Sequence, residues 1–107
     1  MPSTKAEGTQ LAVISTEHTL LTATDQATYV LILDCANMAS ADVLEVRVKG
    51  RAKSAGTTRE VYVYTLANVQ SPPIFVSDPF PGVVSTVFTI TQTAGTGRNF
   101  DYRVEAL

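Results

Sequence analysis

A chain of 107 residues, 45% of them hydrophobic, is long enough for one domain with a single modest core and too apolar for disorder. A net charge of −2 argues against a general nucleic-acid binder, and the lone Cys35 rules out an intrachain disulfide framework. No run approaches the roughly 18–20 apolar residues of a membrane span, and Met1 to Lys5 lacks the apolar stretch of a signal peptide, so a soluble chain with no address of its own is expected.

In chain order, residues 1–7 mix small, polar and charged types without periodicity and read as a flexible or partner-ordered arm. Residues 8–15, carrying Leu11, Val13 and Ile14, are a first predicted strand, and residues 17–23 an edge strand or its continuation. Residues 29–35 form the most apolar run. Both of its faces are apolar at first, as expected of a central strand covered on each side. A loop with at most one helical turn is expected over residues 37–41.

Residues 42–49 then alternate, with Leu44, Val46 and Val48 on one face and Glu45, Arg47 and Lys49 on the other. A basic, glycine-containing connection over residues 50–58 leads into a strand over residues 60–67, where Val61, Val63 and Thr65 oppose Tyr62, Tyr64 and Leu66. Ser71-Pro72-Pro73 interrupts pairing because proline has no N–H for a ladder. Residues 74–76 are short and apolar, and residues 78–82 read as a rigid turn. Two alternating runs flank Ala94-Gly95-Thr96-Gly97 and predict a closing hairpin. Phe100, Tyr102, Val104 and Ala106 form its dry face, and Asn99, Asp101, Arg103 and Glu105 its wet one. About eight short strands with turn signals every 8–12 residues predict an all-β, single-domain β-sandwich over residues 8–107, antiparallel and in the range of a jelly roll.

Chemistry-bearing residues are sparse. His18 is the single histidine, and its neighbour Glu17 points to the opposite strand face, so the two form no acid–base pair on their own. One His and one Cys give no zinc site, and no cofactor is expected. Cys35 reads as a small buried hydrophobe. Asp34, inside an apolar run, reads as a hydrogen-bond acceptor at a strand end. The glycines near position 96 lack the spacing, lysine and helix of a phosphate loop and are explained by turn geometry.

Two features point outward instead. Arg47, Lys49, Arg51, Lys53 and Arg59 place five of the eight basic residues between positions 47 and 59. They predict either a docking surface for an acidic partner or a solvated hairpin. Tyr62 and Tyr64 share a face and are either core or a binding platform for protein or sugar. Fifteen threonines and few charges suit a half-exposed pleated surface that is cheap to desolvate.

The ending G-T-G-R-N-F-D-Y-R-V (from Gly95) and the stretch L-D-C-A-N-M-A-S-A-D-V-L-E-V-R-V (from Leu33) resemble small all-β virion proteins of tailed bacteriophages, of the capsid decoration or cement type. The resemblance covers about a quarter of the chain and identifies no functional residue. It implies a non-enzymatic virion protein on the capsid surface, assembled in the bacterial host cytoplasm. Its partner would be the major capsid protein, and it would form a dimer or trimer with neither nucleic acid nor membrane as a direct partner. Tail or fibre attachment, or a carbohydrate-binding module, are the alternatives. The residues expected to dock the partner are Lys5, Lys49, Arg51, Lys53, Arg59, Tyr62 and Tyr64.

Overall fold

The computed structural model describes residues 3–82 and 84–107. Nine strands make up two antiparallel sheets: β1 (Ser3–Leu11), β2 (Glu17–Ala23), β3 (Ala27–Asp34), β4 (Val43–Gly50), β5 (Arg59–Ala67), β6 (Ile74–Val76), β7 (Phe80–Gly82), β8 (Thr86–Ala94) and β9 (Asn99–Ala106). One sheet runs β1-β9-β3-β6, with β7 also on β3, and the other runs β2-β8-β4-β5.

β6 and β7 are two halves of one edge strand. Both pair with β3, β6 opposite residues 32–34 and β7 opposite residues 27–29. Between them Ser77 bridges the gap: its N–H donates to Leu31 O, and its Oγ accepts the Leu31 N–H, each at 2.9 Å. With these halves counted as one, eight strand positions fall in jelly-roll order, the chain changing sheet at every connection except the β4–β5 hairpin, so the predicted sandwich takes that form.

The core lies where the alternation places it. Leu44, Val46 and Val48 face Phe88 and Ile90 within their own sheet, and all pack against Tyr29, Leu31, Leu33, Phe100 and Val104 of the other. Cys35 and Met38 close the core at one end. Burial, and then the neighbouring Asp34 charge, push the Cys35 thiol up to about 12, which leaves it an inert packing group.

Several expectations need correction. Ser3 to Glu7 are not an arm: they belong to β1 and pair with β9 from Ser3↔Ala106 to Leu11↔Asn99. Met1 and Pro2, the rest of that expected arm, lie outside the described residues. The expected strand over residues 8–15 covers only the second half of β1; the first half carries little bulk at Ala6 and Gly8, and Tyr102 of β9 fills the space above Gly8. Val13 and Ile14, read as strand, lie in the connection that follows, and Ile14 precedes the turn residue Ser15. Residues 80–82, read as part of a turn, are β7. Among the described residues the outer face of β3 carries no second layer, because a two-layer sandwich has one interior. Val30 and Ile32 are screened there by strand neighbours instead. In β2 a register shift between Thr19 and Leu21 interrupts simple alternation, leaving Leu20 buried and Leu21 partly buried against the core.

Candidate functional site

The connection between β4 and β5 forms one end of the sandwich. Its backbone turns where Gly56 N–H donates to Lys53 O at 2.9 Å, and Arg51 Nε donates to Thr58 Oγ1 at 3.0 Å. Beneath it lies a hollow of about 400 Å³ whose lining includes Arg51, Lys53, Arg59, Gly56, Val61 and Phe80. Its floor is apolar and no carboxylate lines it. Gly50 makes the floor possible, since a Cβ there would come within 2.6 Å of the Phe80 ring. Tyr62 meets Phe80 edge-on, with ring centroids 6.3 Å apart, and holds it in place.

The charge balance singles out this mouth. Among the described residues, five of the eight basic side chains are in ion pairs: Lys5 with Asp25, Arg47 with Glu45 and Glu60, Lys49 with Glu17, Arg98 with Asp42, and Arg103 with Glu105. The three without an acidic partner are Arg51, Lys53 and Arg59, and all three line the hollow. Three unneutralised cations over an apolar floor suit an anionic group attached to an apolar one, because the floor supplies burial and the rim supplies charge.

The remaining predicted docking residues fall elsewhere. Lys5 sits on β1, 3.5 Å from Asp25, far along the chain from the mouth. Lys49 is 2.8 Å from Glu17, and this contact, followed by a hydrogen bond from Thr89, holds the Glu17 carboxyl below its ordinary range. Lys49 is thus already occupied.

Tyr62 and Tyr64 turn inward, opposite Val48 and Val46, and pack half-buried against the core. Tyr64 lies 4.9 Å from Phe75 between ring centroids. Its hydroxyl donates to Asp78 Oδ2 and accepts the Asp78 N–H, each at 2.9 Å. Burial is the first cause that pushes this phenol up. No aromatic platform faces outward at these positions, and the outer face shows Val61 and Val63 instead. The two tyrosines are thus half-buried packing residues of β5.

At the opposite end of β4 a buried cluster went unpredicted. Asp42 accepts from Ala39 N–H at 2.9 Å, Thr96 N–H at 3.1 Å and Arg98 Nε at 2.8 Å. The backbone bond from Ala39 comes first among the causes that lower its pKa, against the opposing effect of burial. Buried Gln92 donates to Ala94 O and Thr96 O and accepts the Arg98 N–H, so it fixes the β8–β9 turn. Gly95 adopts φ +90° there, in line with the turn reading of these glycines. His18 is also structural: its Nε2 accepts the Val13 N–H at 3.1 Å. Asp34 Oδ1 accepts the Ala36 N–H at 2.9 Å and closes the end of β3.

No family model matches the chain, and no curated protein or solved structure matches it either. The functional reading therefore draws on the mouth, the fold and the short resemblance described above.

Proposed function

We propose that the protein is a non-enzymatic virion structural protein, a capsid decoration protein of the type its sequence resembles, which docks an acidic face of the major capsid protein through the Arg51, Lys53 and Arg59 mouth. The observation that carries this reading is the convergence of the three unpaired cations on one apolar hollow. The jelly-roll order supports it, since viral capsid domains share that architecture. Bound across a joint between capsid subunits, each copy adds contacts that internal pressure must break. A copy touching two neighbours gains from high effective concentration, so a modest contact is enough. Because the rim cations are exposed, salt weakens the contact.

The test is occupancy on expanded capsids of the same phage at moderate salt. Reversing Arg51 and Arg59 to Glu strips the protein from the particles, while reversing the β1 residue Lys5 does not. Full occupancy of the doubly reversed protein defeats the reading. Label found on tails rather than heads reassigns it to a tail or fibre attachment component.

A further inference from the structure

The two sheets have four edges, and three carry devices that discourage further strand pairing. β1 carries Lys5 and Glu7 and shifts register between Thr4 and Ala6. β2 carries Glu17 and shifts register between Thr19 and Leu21. The edge made by β6 and β7 is broken at Ser77, Asp78 and Pro79 and contains Pro81. Charges, bulges and prolines are the usual guards of an open edge.

β5 differs. Its two charges, Arg59 and Glu60, and its register shift, which leaves Val61 without a partner residue, are confined to its first three positions; from there Tyr62-Val63-Tyr64-Thr65-Leu66-Ala67 runs with no charge, no proline and no further shift. Its outward side chains Val61 and Val63 are 44% and 48% exposed. This unguarded edge begins at the cationic mouth, and Arg59 and Val61 belong to both.

We infer that β5 takes up an extended segment of the acidic partner as an additional strand, with the segment's carboxylates seated in the mouth. The inference rests on the reading of the mouth as the docking site. Strand addition of this kind draws affinity from main-chain hydrogen bonds and specificity from side-chain pockets. Every strand pair in both sheets is antiparallel, so the guest runs opposite to β5 and its C-terminal side reaches Arg59. The segment therefore has alternating apolar and neutral polar residues, followed by acidic ones. Apolar residues on its outward face lie beside Val61 and Val63.

The probe is a synthetic peptide of seven alternating Val and Thr residues followed by three Asp, titrated into the full chain. Two controls carry the three Asp at the other end, or three Lys in their place. The C-terminally acidic peptide binds at least about tenfold more tightly than either control and slows amide exchange along β5, as an added strand would. Val63→Lys with Thr65→Lys, both at exposed positions, abolishes that protection without changing the thermal midpoint.

Equal binding of the two acidic peptides overturns the inference, as does protection confined to other strands. So does concentration-dependent self-association lost in the lysine variant, which assigns the edge to a second copy. If Arg51→Glu with Arg59→Glu strips the protein from capsids but the lysine variant still occupies them, the mouth docks without an added strand. In that case only this inference falls. If neither variant loses occupancy, both readings fall.

Discussion

The two ends of β4 treat charge in opposite ways. At Val43 the chain leaves a buried carboxylate, Asp42, met by two backbone N–H groups and the Arg98 guanidinium. At Gly50 it enters a connection where Arg51, Lys53 and Arg59 crowd a hollow with no acid among its lining. The first end is complete in itself, and its charges hold together the β3–β4 and β8–β9 connections. The second leaves attraction unused and offers it outward. Residues of the same chemical type thus divide into a structural set and an available set according to whether the fold supplies a partner.

Removing Asp42 should have the largest effect on stability. Asp42→Ala leaves two N–H groups and Arg98 without their acceptor, and chemical denaturation should show a loss of about 3–5 kcal/mol. The pH dependence follows with a definite sign. The folded carboxyl titrates below the unfolded value because Ala39, Arg98 and Thr96 favour its charged form. Its contribution is therefore full above the ordinary aspartate pKa of ~3.9 and is lost as pH falls through the lower folded value. Asp42→Asn should flatten the acid limb of the stability curve, and an unchanged limb would show that Asp42 is not its source.

A smaller change sharpens the same end. Ala41 adopts φ +73°, in the left-handed region, while its N–H donates to Asn68 Oδ1 at 2.9 Å. A Cβ is strained there, and glycine is not. Ala41→Gly should raise stability by about 1 kcal/mol after the larger entropy of the unfolded glycine is counted. A loss measured by denaturant midpoint would mean that the Asn68 contact does not hold this conformation.

Much of this division was open to sequence reading, but not all of it. The inward faces of β4 and β9 followed from strict alternation, because a period of two leaves no freedom once one face is dry. Only the second half of β1 was legible, within the strand expected over residues 8–15; its first half was not, because Ala6 and Gly8 leave bulk to Tyr102 on another strand. The basic cluster was visible as composition, but which of its members are free was not. Lys49 lost its availability to Glu17 on β2, and Arg47 to Glu45 and Glu60, and only the sheet order brings Glu17 within reach. Phe80 could not be placed at the mouth from its Pro-Phe-Pro setting, which signals a turn as well as a broken edge strand. Asp42 looked like one more acid beside a loop, since its donors come from connections far apart in sequence.

The smallest expected effect on stability bears most directly on the available set. Arg51, Lys53 and Arg59 have no carboxylate partner in the fold, so replacing Lys53 by Gln removes no ion pair and reduces repulsion among neighbours. Exposed substitutions of this kind stay within about 0.5 kcal/mol of neutral. Lys53→Gln should fall in that range on the stabilising side, with the gain fading as salt screens the like charges. The same substitution should weaken binding of an acidic peptide and make what remains less sensitive to salt. A clear destabilisation by Lys53→Gln, measured at low ionic strength, would mean that the connection uses this charge internally. The contrast between the two ends of β4 would then be one of degree, and the mouth would have to be read as part of the fold's own scaffolding.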